Sequence, residues 1–537
     1  MNGSCCGSGV RQTRLATALS LAFAVSIAAT SAVAFAETSR TGDATTDASR
    51  RHYALRMAQR AARSHDRVPW HVHVKPAPNP AGSVLPVTNC LDDGSEGTLR
   101  SVIAGAGEGD TIDLSQLACS TITLTQGAID LSVLGDHHIN DLTIIGPGAA
   151  ALTIDGNGDR VLAHGDYQIC LGILMIRDLT IANGDYPHGL ASCIDSSGDV
   201  DLVRTVVTHC NASNGGPLTF GGAVSAAYLN MTSSTISDSI SRASGDNVAI
   251  GGGAYVSGEA TLFESTISGN VAIAQTPGDG TYYLTAGGGL YVRGGLAMTR
   301  STIADNSLVT YDRFNGPGGG IFVRGDAEIR ESTFDNNLAS QGGGLYKAVF
   351  SHYGDPGTTL TVWSSTLSAN GAYYGGGGLV TARPSIIANS TIAANGAGLS
   401  VGGLWCRGSC NLSLGSSIIA MNVYGEFPGQ YFDIYSDTKT TIQGSDNLVM
   451  YPANVTLPPD TLTDDPLLQP LADNGGPTRT MALPEESPAI DAGSNTGDFD
   501  FDQRGEGFPR VSGAAADIGA FEFQQPIDDE IFVNGFE

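Results

Sequence analysis

The stretch Ala327-Glu328-Ile329-Arg330-Glu331-Ser332-Thr333-Phe334-Asp335-Asn336-Asn337, followed by Gly342-Gly343-Gly344-Leu345-Tyr346, decides the fold. Ala327 and Ile329 alternate with polar residues, and so do Ser332 and Phe334; this period of two puts one set of side chains inside a strand and the other outside. Between Ile329 and Ser332 the gap is two residues, so the phase slips. A bend between two short strands accounts for the slip. Asn337 then occupies a turn slot, and the glycines lead into a second short apolar run.

The same pattern returns in nine consecutive segments, with clear copies at Leu296/Met298/Ser301/Ile303/Asn306 and Leu360/Val362/Ser365/Leu367/Asn370. The apolar anchors Ile181, Val207, Ile236, Ile267, Ile303, Phe334, Leu367, Ile392 and Ile419 lie 26, 29, 31, 36, 31, 33, 25 and 27 residues apart. Each interval holds two or three short strands and no helical period, which is one coil of a solenoid. The reading is all-β: a right-handed, single-stranded parallel β-helix over residues 115–460. Asn suits the turn slot because it tolerates left-handed backbone angles. Asn residues stacked one coil apart can also bond amide to amide along the axis.

Composition agrees with this. The 537 residues include 71 Gly, 41% hydrophobic and only 15% charged residues, with Lys at 75, 347 and 439 alone. Arg11 and Arg14, the apolar Leu15 to Ala29 and the small-x-small Ala34-Phe35-Ala36 read as a cleavable signal peptide over 1–36. Residues 37–86 carry eight Lys/Arg against four Asp/Glu and several prolines, and read as a basic linker or propeptide. The remainder holds 17 basic against 50 acidic residues. A body so acidic disfavours nucleic acid and anionic membranes as partners. No later stretch is long and apolar enough for a transmembrane helix.

Seven cysteines follow the signal segment, and in an oxidising compartment they read as disulfides with one thiol left over. The pairs expected are Cys90–Cys119, Cys193–Cys210 and Cys406–Cys410, with Cys170 free; Cys170–Cys193, one coil apart, competes. Cys193 takes the last glycine slot and Cys210 the Asn slot, so a bond between them staples a corner.

Phe334-Asp335-Asn336-Asn337 with Gly342-Gly343-Gly344-Leu345 resembles the FxxN-like and GGAI-like repeat signatures of bacterial β-helix surface proteins, the chlamydial polymorphic outer-membrane proteins among them. Cys90 to Leu114 is similar to a CSLREA-type N-terminal module with a degenerate motif, taken as a cap over 87–114, in which Leu99 to Ile103 suits a short helix. Leu471-Ala472-Asp473-Asn474-Gly475-Gly476-Pro477-Thr478, Ser487-Pro488-Ala489-Ile490-Asp491-Ala492-Gly493, Asp502-Gln503-Arg504-Gly505 and Asp517-Ile518-Gly519-Ala520-Phe521-Glu522 resemble, in this order, the choice-of-anchor Q domain. That places a small C-terminal domain at 461–523, before a tail at 524–537 similar to one on exported proteins. The resemblance implies export from a Gram-negative bacterium to its surface or surroundings, acting as a monomer. Pectate-lyase-like enzymes share this solenoid, so the fold alone does not choose between binding and catalysis.

Motifs for catalysis are sparse. There is no Arg-x-Lys of the polygalacturonase kind. Arg293, Arg324 and Arg330 project from coils without an evident acidic partner set on neighbouring coils. His352-Tyr353-Gly354-Asp355-Pro356 matches part of an alginate-epimerase motif but lacks its final His, and reads as a loop. Asp498-Phe499-Asp500-Phe501-Asp502 offers calcium oxygen ligands or an edge strand and turn; no other cofactor is implied. His71 and His73 read as solvated. Loops of unequal length would lie side by side on one flank and carry Tyr282, Tyr283, Tyr311, Arg313 and Phe314, with Tyr373 and Tyr374 extending the line. Exposed aromatics on a rigid solenoid suit stacking on sugars; mutual packing that covers the coil is the alternative. The expectation is an exported, non-catalytic surface protein, structural or adhesive, with polysaccharide or a cell-surface glycan as partner. A carbohydrate-active lyase, epimerase or hydrolase is the second reading.

Overall fold

The computed structural model describes residues 82–131, 140–165, 172–187, 190–214, 218–244, 248–275, 285–310, 316–348, 358–408, 410–425 and 430–524. The signal segment, most of the linker, Cys170, His352 to Pro356 and the tail from 525 onward lie outside them. Within this range the chain is a parallel β-helix. One coil runs through Ala260–Phe263, Thr266–Ser268, Val271–Gln275 and Leu290–Val292, each strand in a different sheet. The expected two or three strands per coil are therefore four. In the order the chain visits them, the four sheets contain 13, 12, 10 and 12 strands, and the right-handed sense follows from parallel crossover connections. Sequential coils pair in register, so the anchors from Ile181 to Ile419 form one column in the second sheet. Every one of them is fully buried.

The corners use polar residues in a way the sequence pattern conceals. The left-handed residue is not the Asn of the turn slot but the one before it: Asp305, Asn336, Ala369, Ala394 and Met421 have φ of 58°, 53°, 56°, 58° and 60°. Turning there swings the next side chain inward. Asn270, Asn306, Asn337, Asn370, Asn395 and Asn422 are all fully buried. Each Nδ2 donates to the Oδ1 one coil on at 2.9–3.0 Å, and the last donates to Asp433 Oδ1 at 2.9 Å. The same oxygens accept the backbone N–H of the preceding Asn. The other corner repeats the device with Glu264, Arg300 and Glu331 left-handed; Ser265, Ser301 and Ser332 then turn inward and accept, in turn, from the backbone N–H of Ser234, Ser265 and Ser301 one coil before. Amides and hydroxyls thus replace, inside the rod, the partners that a bent strand loses.

Both ends are tied to the coils. Val84–Pro86 and Thr111–Asp113, in the stretches read as linker and cap, are already rungs of the first sheet. Between them Leu99–Ala104 forms the one described helix, capped by Thr98, with Leu99 and Ile103 buried in the main core. Disulfides join Cys90 to Cys119, Cys193 to Cys210 and Cys406 to Cys410. Residues 461–523 contain no strand and lie along the outer threonines of the second sheet. Gln503 is central: it accepts from Thr366 Oγ1 at 2.6 Å and donates to Thr333 Oγ1 at 2.9 Å, while Thr391 Oγ1 accepts from Ala520 N–H at 3.1 Å. Among the described residues, no helix is long and apolar enough to cross a membrane.

Burial loads several carboxyls. Asp433 closes the Asn ladder, and burial pushes it up to about 6 against its hydrogen bonds from Asn422 and Tyr451. In the C-terminal segment burial pushes Glu522 up to about 7, opposed by the Asp517 N–H and by Arg510. Burial also raises Asp335 and Asp517. Groups raised in this way make the folded state bind more protons than the unfolded one. Their stabilising contribution is complete below the ordinary carboxyl range and is lost as pH rises through about 6 and then 7. Relief of the −27 net charge acts in the same direction. The thermal midpoint is expected to rise by several degrees between pH 8 and pH 5; a midpoint that is flat or falls over that interval, in calorimetry, contradicts this assignment.

Candidate functional site

The outer face of the fourth sheet carries an aromatic column. In each strand the outer two residues point inward, as Leu290 and Val292 do, and the middle one points out. Register aligns the middle residues Tyr255, Tyr291, Phe322, Tyr346, Val380, Trp405 and Tyr435. From Tyr255 to Tyr346 the rings stack at centroid distances of 5.6, 5.0 and 5.5 Å, close to the coil spacing. Most of the column is covered: Tyr291, Phe322 and Tyr346 pack with Ile250, Ala286 and Val401. Burial pushes the Tyr255 hydroxyl up to about 12, and raises those of Tyr291 and Tyr346, so these phenols stay protonated.

The column opens to solvent near its C-terminal end. In the third sheet Ala339 pairs with Ala372 and Gln341 with Gly375, so Tyr373 and Tyr374 together face the single residue Ser340. This bulge bends the strand and re-aims its side chains. Both tyrosines reach solvent, at 36% and 38% exposure. Tyr374 lies on Trp405 at 5.5 Å with an interplanar angle of 23°. Arg407 sits 5.0 Å from the centre of the Trp405 ring and donates to the Tyr346 hydroxyl and to Gln341 Oε1, each at 3.0 Å. The Trp405 indole donates to Asp437 Oδ1 at 2.7 Å, and the Gly408 N–H to its other oxygen at 3.1 Å. Two stacked rings with a guanidinium and a carboxylate at their edge can face the apolar side of a sugar and bond its hydroxyls.

Of the residues expected on this flank, Tyr373 and Tyr374 are brought together here; Tyr282, Tyr283, Tyr311, Arg313 and Phe314 lie outside the described residues. Trp405 and Arg407 went unread, as did the column behind them. Its signal was the residue two places after each glycine run, aromatic in Tyr255, Tyr291, Phe322 and Tyr346. Arg330 pairs at 2.5 Å with Glu328 of its own strand.

Other polar groups are engaged structurally. His164 holds Ser196 Oγ and the Asn140 carbonyl, both at 2.8 Å. Lys347 is buried: its ammonium donates to Thr358 Oγ1 at 3.0 Å and to the Arg324 and Gly325 carbonyls. Burial pulls it down to about 8. In the acidic run near 500, Asp502 is fully buried and paired with Arg504 at 2.6 Å. Among the described residues, no group of three or more His, Cys, Asp or Glu could hold a metal ion.

No family model matches this chain, and no curated protein matches it. Among solved structures, the crystal structure of pectate lyase Pel9A is similar over 82% of this chain and 96% of that one, at 11% identity and a TM-score of 0.34.

Proposed function

We propose that this chain is an exported, non-catalytic β-helix of the bacterial surface or its surroundings, and that it binds a glycan on the flank built by Tyr373, Tyr374 and Trp405. The observation that carries the reading is the bulge, which presents two adjacent tyrosines to solvent and seats one of them on a tryptophan. Rings spent on solvent rather than on the core cost folding energy, and stacking against a sugar returns it. The three disulfides suit an oxidising compartment. The blocks between 471 and 522 support a choice-of-anchor Q assignment for the C-terminal segment, and the signal-like start supports export.

A panel of polysaccharides assayed for both binding and cleavage tests this. Binding is expected with no release of oligosaccharides. Changing Tyr373 and Tyr374 together to Ala should weaken affinity about tenfold, from the loss of ring stacking, with the melting temperature nearly unchanged. Calcium-dependent release of unsaturated oligosaccharides would instead make the chain a lyase, and unaltered binding by the double variant would remove this flank.

A further inference from the structure

We infer that the glycan held on this flank is anionic, and that its carboxylate or sulfate groups are met by a row of arginines, Arg293, Arg324 and Arg407, along the edge of the fourth sheet. The inference rests on the proposed glycan binding and adds the charge of the ligand to it.

The row is set by register. Val292 pairs with Val323, so Arg293 and Arg324, each the next residue, stack one coil apart. Arg407, which follows Cys406, takes the equivalent place three coils beyond Arg324, with Ala348 and Ala382 at the places between. Their hydrogen bonds go to neutral partners. Arg324 bonds the Tyr291 hydroxyl, and Arg407 bonds the Tyr346 hydroxyl and the Gln341 amide oxygen. Arg293 is exposed.

That disposition is the minority one: eight of the fourteen described arginines sit in salt bridges, and outside this edge Arg177 and Arg242 also have none. The chain has 54 acidic against 27 basic residues, so a carboxylate is seldom far away. Arg100, Arg204, Arg300, Arg479 and Arg504 all sit in salt bridges. Among the described residues, no carboxylate lies within salt-bridge distance of Arg293, Arg324 or Arg407. Two carboxylates on this edge are committed elsewhere: Asp326 accepts from the Thr359 N–H and hydroxyl, and Asp437 from Trp405 and Gly408.

Arginines ordered against phenols and an amide, on an acidic body, are pre-organised for an external anion, and their forked donors match carboxylate and sulfate groups. Repulsion from the net charge is screened beyond about 8 Å at physiological ionic strength, so the contact groups decide affinity there. The row adjoins the sugar platform because Arg407 borders Trp405, on which Tyr374 stacks.

The test is isothermal titration of the full secreted chain with polygalacturonate, chondroitin sulfate, neutral galactan and single-stranded DNA. The two anionic glycans are expected to bind more tightly than galactan. Arg293→Gln, and Arg293→Gln with Arg324→Gln, should lower their affinity by about tenfold or more and flatten its salt dependence. The exposed Arg293 change alone guards against misfolding of the double variant, and Arg242→Gln on the third sheet should change nothing. Equal binding of galactan, or anionic-glycan binding unchanged in both arginine variants, overturns the inference. So does DNA binding as tightly as the glycans, which would make the row a generic polyanion site. Galactan binding lost in Tyr374→Ala but indifferent to the arginines would leave the platform standing without the charge, whereas no binding of any glycan by the unaltered chain removes both.

Discussion

Phe334→Asp is expected to leave no folded protein. Phe334 is fully buried in the axial column between Ile303 and Leu367. Deleting a buried Phe side chain costs about 3–5 kcal/mol in lost transfer energy and cavity. A carboxylate at the same point adds several kcal/mol of desolvation, since its surroundings are aliphatic. The sum is comparable to the roughly 5–15 kcal/mol that holds a typical domain together. The rod offers no escape, because every rung of this column is buried and the strands on either side are in register. Phe334→Leu, which puts into this rung the residue its neighbour Leu367 already has, should cost only about 1–2 kcal/mol. Circular dichroism and protease resistance of the purified variants measure both. A Phe334→Asp protein that melts within a few degrees of the parent contradicts the buried column.

Asn337→Ala is expected to be the second most damaging change, although it removes only an amide. Asn337 Oδ1 accepts from the Asn306 N–H at 3.1 Å and its amide at 3.0 Å; its Nδ2 donates to the Ile303 carbonyl at 2.8 Å and to Asn370 Oδ1 at 2.9 Å. The Asn306 amide and Asn370 Oδ1 keep other partners, and the Ile303 carbonyl keeps its place in the parallel ladder to the next coil, but the Asn306 N–H is stranded where water does not reach. The stranded N–H costs about 1–3 kcal/mol and the other lost bonds add about 1 kcal/mol more, so a loss of about 2–4 kcal/mol is expected. Asn336→Ala, on the exposed left-handed corner, should cost only about 1 kcal/mol of backbone strain. Chemical denaturation of the two single variants separates them; equal losses would mean that the ladder adds nothing beyond the turn.

The contrast between neighbouring asparagines marks where the sequence was readable. The apolar anchors near every thirtieth residue were legible, because burial on a strand imposes alternation and one coil imposes the interval. The buried polar corners were read half correctly. Stacked amides were expected, but polar residues beside a turn look like surface, and nothing local distinguishes Asn337 inside from Asn336 outside. The third sheet was hardest: Val271–Gln275, Ser307–Thr310 and Gly371–Gly375 share no common composition. Tyr373 and Tyr374 could be picked out because they adjoin glycines. Trp405 carried the same signal as the rest of its column, two places after Gly402-Gly403, but Arg407 carried none, since its partners Tyr346 and Gln341 come from other coils and the bulge that aims Tyr374 is a property of pairing.

The asparagine ladder also has a direction. Every amide hands a hydrogen from one coil to the oxygen of the next, from Asn270 toward Asn422, and the series ends on the carboxylate of Asp433, which also takes the Tyr451 N–H on its second oxygen. An ionised carboxylate accepts and has nothing to pass on. The residue that completes the last rung therefore acts as a stop codon does in a message: the ladder ends there, while the other sheets run on through Gln443–Ser445, Leu448–Val449 and Pro452–Thr456. An identical rod stacked on this end would find no amide waiting to be met. A solenoid must avoid adding coils from its neighbours, and one exchange of nitrogen for oxygen leaves this ladder with no donor to offer them.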